Sequence, residues 1–235
     1  MPTARETLLE AAHAAVSARP WAGVRMIEVA ERAGVSRQTL YNEFGSKEGL
    51  GIALVRHRVE RFLRGAVTAS GQAARKSGDP AACCVAAAAW LLRTARADPI
   101  VRAALTGCWG TRMPLSVRDR PGEPGELAAE LRDRLVAAMT ERPGLPGTRD
   151  PEVLRRACEA GLRLALSYVV APAPGAEEEA CHRIHQVVRA LLDPVPEERA
   201  FPRGAEGVPA GPGRADRVPR PGPAPGGRPV DRAGG

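Results

Sequence analysis

Three observations predict an all-α fold of about nine helices. Ala, Leu, Arg and Glu dominate residues 1 to 193, and no stretch sustains the period-two alternation of a half-buried strand. Apolar residues recur at helical spacing in one segment after another. The pairs Asp79-Pro80, Asp98-Pro99 and Asp150-Pro151 each stand just before such a segment. There the Asp caps free amides, and the Pro tolerates a first helical position that needs no donor. At 235 residues the chain can bury a real core without disulfides or a metal.

The elements follow in order. Leu8, Leu9, Ala12, Ala15 and Val16 form one face of a first helix. Met26, Val29, Ala30 and Ala33 give a short second one, which Gly34 ends by permitting a left-handed residue. Val35 anchors the turn, and Ser36 caps a third helix over Arg37 to Phe44. In that helix Leu40 and Phe44 point inward at i, i+4, while Arg37, Gln38, Thr39, Tyr41 and Asn42 are left largely outward. Gly45 stops it, and Ser46 caps a long fourth helix with Glu48 in its first turn. Five more helices follow. Their clearest faces are Leu127, Leu131, Leu135 and Met139; Leu154, Cys158, Gly161, Leu162, Ala165 and Val169; and Ile184, Val187, Val188, Leu191 and Leu192. Residues 112–126, rich in Pro and Gly, are expected to loop. The last 42 residues, 194–235, hold 10 Pro and 9 Gly and are expected to be disordered.

Helices two and three, joined by a tight glycine turn, make a helix-turn-helix. Its second helix enters the major groove and reads bases from its N-terminal residues. Arg and Gln there can donate in bidentate fashion to base edges, and hydroxyls, Lys and helix N-terminal amides suit phosphates. In this segment the chain resembles the TetR/AcrR family of transcriptional regulators. The residues that carry the resemblance are Val29-Ala30, Ala33-Gly34-Val35-Ser36, Thr39-Leu40-Tyr41, Phe44, Ser46-Lys47-Glu48 and Leu50, with Leu8, Leu9, Ala11 and Ala12 upstream. The resemblance implies a nine-helix homodimer whose three-helix head binds double-stranded operator DNA. It also implies a C-terminal domain that binds a small-molecule effector, which shifts the heads apart. It divides the chain into a head at 1–46, a helical ligand-binding and dimerisation domain at 47–193, and the tail at 194–235.

Carried over residue by residue, Arg37 and Gln38 reach bases, Thr39, Tyr41 and Lys47 hold phosphates, Asn42 does either, and Ser36 is counted with them as a DNA-binding candidate. The family commonly caps the second helix with Thr or Ser. Arg25 stands there instead, and is open to a phosphate contact or to a plain surface role. Glu43 either accepts from cytosine or points away from the groove.

The formal charge is +7, which suits a polyanionic partner, but residues 1–51 hold six basic and six acidic side chains. The inference to DNA therefore rests on where Arg25, Arg37 and Lys47 stand, not on the total. Aromatics at 3% disfavour a binder that stacks single-stranded bases. No run of about 18 apolar residues occurs, so no membrane partner is expected. The five cysteines, Cys83, Cys84, Cys108, Cys158 and Cys181, lack framework spacing and are expected to be reduced thiols in a cytoplasmic protein.

Trp90, Leu91, Trp109, Met139 and Tyr168 are candidate walls of an effector pocket for an apolar ligand. Leu154, Cys158, Leu162, Ala165, Val169, Ile184, Val188 and Leu191 are candidates for the dimer interface, with the subunit's own core as the competing role. Vicinal Cys83-Cys84 could sense oxidants, and Cys181 with His182 and His185 could hold a metal. Neither is the leading reading, and no cofactor, metal or enzyme activity is expected. The expected function is that of a ligand-responsive regulator, a repressor. Two rivals are a membrane-surface or scaffold protein using the Arg-rich stretch from Arg56 to Arg64, and a small-molecule carrier with a vestigial head.

Overall fold

The computed structural model describes residues 3–110, 113–114, 124–141, 150–172 and 177–193. Among them run nine α-helices and no strand: α1 (Ala4–Ala18), α2 (Met26–Ala33), α3 (Arg37–Phe44), α4 (Lys47–Ser77), α5 (Pro80–Ala97), α6 (Pro99–Thr106), α7 (Pro124–Thr140), α8 (Pro151–Val170) and α9 (Glu177–Leu192). All of these helices lie in one compact unit within Met1–Val195. The tail expected to be disordered lies outside the described residues.

Capping chemistry explains most boundaries. Thr3 and Glu6 close a reciprocal capping box on α1. Asp79, Asp98 and Asp150 each accept from the amides of the helix they precede, with Pro at the first position. Two boundaries differ from expectation. A 3-10 turn at Trp21–Gly23 buries Trp21 between α1 and α2, and α7 starts at Pro124, inside the stretch expected to loop as far as Glu126.

Helix α4, with 31 residues, is about 46 Å long at 1.5 Å per residue and serves as the spine. It packs against α1, α3, α5, α6 and α7. Arg134 of α7 grips Glu60 of α4 with two parallel bonds of 3.0 Å. Small residues let helices approach closely. A methyl group on Gly65 of α4 would fall 2.1 Å from the Trp90 ring on α5, and one on Gly161 of α8 would fall 2.8 Å from Val188 on α9. One hydrophobic core runs from Leu8 through Leu54, Leu91 and Leu135 to Val188.

Candidate DNA-binding head

Helix α2 begins without a side-chain cap, as Arg25 requires, and ends at Gly34 in the left-handed region (φ +69°). The Val35 amide bonds back to the Ala30 carbonyl at 3.0 Å. Ser36 Oγ then accepts from the Thr39 amide at 3.0 Å and lies 2.9 Å from the Thr39 hydroxyl. The cap thus uses Ser36 and part of Thr39 to start α3. Leu40 is fully buried and Phe44 packs against the core. Arg37, Gln38, Tyr41 and Asn42 are exposed.

Among the described residues no hydrogen bond or ion pair engages Arg37. Gln38 Nε2 donates to Asn42 Oδ1 at 2.8 Å. That bond aligns the two amides along one helix face and leaves Gln38 Oε1 and Asn42 Nδ2 available to a base edge.

Two acidic side chains of the head, Glu43 and Glu28, are paired with arginines. Arg5 of α1 donates to the Glu43 carbonyl at 3.3 Å and to its carboxylate at 3.4 Å, and stacks 4.7 Å from the Phe44 ring centre. Glu43 is therefore paired with α1. Arg19 pairs with Glu28, which also holds the Arg25 guanidinium at 3.9 Å, leaving Arg25 78% exposed. Glu28 and Glu43 are thus held by arginines, while Arg37 stands exposed on the reading helix.

Lys47 is less free than its sequence position implies. Its ammonium donates to the Ala22 carbonyl at 3.1 Å and sits 5.5 Å from the Trp21 ring centre, tying the start of α4 to the 3-10 turn. Two further donors remain for a phosphate. Ser46 caps α4 through the Gly49 amide, and a methyl group on Gly49 would fall 2.1 Å from the Phe44 carbonyl oxygen. Only a glycine lets α4 start this close to the end of α3.

Residues 8–54 match the model of the family described as bacterial regulatory proteins, tetR family. The HTH-type transcriptional regulator AlkX of Mycobacterium tuberculosis (strain ATCC 25618 / H37Rv) is 30% identical over 193 residues, covering 82% of this chain and 85% of the relative. The chain belongs to the TetR family. It is a DNA-binding transcriptional regulator. Among solved structures, the TetR family repressor AlkX from Dietzia sp. strain DQ12-45-1b aligns at 26% identity, with a TM-score of 0.53 over 79% of this chain and 96% of that one. A regulator from Mesorhizobium loti MAFF303099 shares the fold at 18% identity, with a TM-score of 0.55 over 80% of this chain and 95% of that one.

How the head of this TetR-family chain joins its body was not visible in the sequence. The Asp98 carboxylate, 3% exposed, caps α6 through Ile100 at 2.9 Å and takes Arg58 of α4 at 2.7 and 2.6 Å. His13 of α1 stands 3.5 Å from its other oxygen, too far for a good hydrogen bond, and its Nε2 is buried with no closer partner. Burial by itself would raise the Asp98 pKa. The nearby His13 ring and the Arg58 charge outweigh it and hold the carboxyl below its ordinary value. Beside it Glu10 of α1 takes Arg61, with Arg58 and His57 each 3.7 Å away. Burial pushes the His57 pKa down, opposed by Glu10.

The same pairings occupy the Arg-rich stretch. Arg58 is held by Asp98, Arg61 by Glu10, and Arg64 lies 3.6 Å from Glu60. These pairings neutralise part of the stretch on which a membrane-surface or scaffold role would rest, while Arg56 stays exposed. No helix among the described residues is long and apolar enough to cross a membrane.

Two sets of expected residues take other places. Trp90 wedges against Gly65, its indole donating to the Phe62 carbonyl at 3.0 Å, while Leu91 and Trp109 are core residues and Tyr168 is half-buried. None of these four lines the cavity of about 230 Å³ between α6, α7 and α8, whose apolar walls are Leu105, Ala128, Leu162 and Leu166. Met139 borders a separate groove between α4 and α7. Of the expected dimer residues, Leu154, Cys158, Leu162, Ala165, Val169, Ile184 and Val188 are buried inside the single chain, because α8 packs on α5, α7 and α9. Leu191 alone of the set is exposed, at 42%. The thiol expectations shift as well. Cys84 meets Cys158, not Cys83, while His185 lies 4.0 Å from Asp79 and His182 bonds to Gln186.

Proposed function

We propose that this regulator is a repressor that binds a pseudo-palindromic operator as a homodimer and is released by a small, largely apolar effector. The observation that carries the DNA part is α3 itself, which starts at a satisfied Ser36 cap, buries Leu40, and offers Arg37, Gln38, Tyr41 and Asn42 from one end of a short exposed helix. Arg37 and the Gln38–Asn42 pair read base edges. Tyr41, Thr39, Lys47 and Arg25 hold the backbone.

Selection of sites from random DNA by the purified protein, followed by footprinting, tests this reading. An enriched palindrome is expected, and its absence overturns the proposal. With the selected site in hand, Arg37→Ala or Gln38→Ala should relax preference at one position by roughly 5- to 150-fold, the equivalent of about 1–3 kcal/mol. Lys47→Ala should weaken all sequences alike and reduce the salt slope by roughly one. If Lys47→Ala altered base preference while Gln38→Ala did not, the assigned roles would be reversed.

The dimer is assigned to the outward side of α8 and α9, where Val170, Val187 and Leu191 are 67%, 40% and 42% exposed. Val187 and Leu191 lie one turn apart and form a stripe that a two-fold partner would cover. Val187→Arg with Leu191→Arg should yield monomers by sedimentation without loss of helix content. A double variant that still dimerises at micromolar concentration would move the interface elsewhere.

The effector seat is the cavity between α6, α7 and α8. Its volume of about 230 Å³ exceeds that of a dry engineered cavity of about 150 Å³ that takes up benzene. The Arg132–Glu159 pair at 3.3 Å supplies its polar edge. An apolar effector and negative regulation accord with the relative from Dietzia sp., a repressor implicated in biodegradation of n-alkanes. Action on operator DNA places the protein in the cytoplasm, and its role needs no catalytic step.

A further inference from the structure

Cys84 and Cys158 are 74 residues apart in sequence, on α5 and α8, yet their sulfurs meet at 3.1 Å. Both thiols are free, and both are buried, at 4% and 1% exposure. The sulfurs stand only about 1 Å farther apart than in a disulfide. Cys83 does not share this contact, since adjacent helix positions diverge by about 100°. Cys108 is exposed, and Cys181 is half-buried on α9.

We propose that Cys84 and Cys158 form an oxidisable dithiol, which a peroxide-class two-electron oxidant converts into an intramolecular disulfide joining α5 to α8. In the first step one sulfur attacks a peroxide oxygen, the O–O bond breaks, and sulfenic acid and water form from hydrogen peroxide. In the second step the other thiol displaces hydroxide from the sulfenic sulfur, the S–S bond forms, and a second water leaves with the thiol proton. Two electrons pass from the two sulfurs to the peroxide, and two thiol hydrogens end in water.

Burial sets the character of the site. The Cys84 thiol is pushed well above its ordinary pKa, first by its contact with Cys158 and then by burial, so little thiolate is present. The resting pair is therefore slow to react, and oxidant reaches it when α5 and α8 open locally. The neighbouring thiol then captures the sulfenic acid before it oxidises further. The cross-link ties α8, which walls the α6–α7–α8 cavity, to α5, which packs along the α4 spine.

Peptide mapping of the full chain carrying Cys108→Ala, which removes the exposed thiol, tests the proposal. The reduced protein is titrated with hydrogen peroxide, alkylated under denaturing conditions and digested without reduction. A peptide linking Cys84 to Cys158 is expected, together with a two-hydrogen mass loss reversed by dithiothreitol. A rise in Tm on the order of 5–10 °C is also expected, because the bridge closes a long loop. Adding Cys158→Ala should abolish all three changes, and adding Cys83→Ala, a comparable buried change, should preserve them. The proposal is overturned if Cys84 and Cys158 are both recovered alkylated at peroxide doses that fully oxidise Cys181. A cross-link from either of them to another cysteine overturns it equally.

Discussion

Asp98→Ala is expected to destabilise the protein by about 3 kcal/mol, at the low end for a broken buried pair, because the buried Arg58 charge keeps only Glu10, 3.7 Å away. Arg58 is only 14% exposed and makes its two shortest contacts to this carboxylate. The substitution also removes the α6 cap on Ile100 and Val101, itself a loss of about 1 kcal/mol. Asp98→Asn should cost less, because its side-chain oxygen still accepts from Ile100. Urea unfolding at pH 7 measures both, and a loss under about 1 kcal/mol for the Ala variant would refute the argument. Its pH dependence is also fixed in sign. The folded Asp98 pKa lies below its unfolded value, so the contribution is complete above about pH 4 and fades as pH falls through the folded pKa. The joint is also where α1 of the head meets α4 and α6 of the body. Loss of Asp98 should therefore lower operator affinity even under conditions where the chain stays folded.

Trp90→Ala is the second large effect, about 3 kcal/mol, at the low end for Trp→Ala because the ring is only half-buried. For a chain of this size that is a fall in Tm of roughly 6–12 °C. The ring fills the groove that Gly65 leaves on α4, and its indole donor anchors to the Phe62 carbonyl. Gly65→Ala should be destabilising too, by about 1–3 kcal/mol, through overpacking against the same ring. Combining the two should recover part of the loss, since the added methyl then enters the space the indole vacates. A Trp90→Ala protein whose Tm matches its parent's would return Trp90 to the role of a pocket wall.

Legibility in the sequence followed the range of the interaction. Gly34, Ser36, Ser46 and the Asp-Pro pairs act within four residues of themselves, and all of them cap or stop helices where their chemistry requires. The inward and outward sides of α3 were likewise readable from spacing. The apolar stripes of α8 and α9 are legible as helix faces, and the sequence leaves their partners open between the chain's own core and a second subunit. Periodicity identifies a face that must be buried and is silent on whether another helix of the same chain or a second subunit covers it. Trp90 shows the same limit, since a row of small residues beside an aromatic ring fits either a packed contact or a ligand wall.

The sequence by itself determined nine helices, the turn geometry of the head and the identity of the side chains on its reading helix. These depend on backbone conformation and on contacts within a turn or two. The tertiary structure alone decided that Arg5 pairs with Glu43, that Asp98 gathers α1, α4 and α6, and that Cys84 faces Cys158. Each joins residues 38 to 85 positions apart, and such pairings are set by how whole helices cross, which no local pattern encodes.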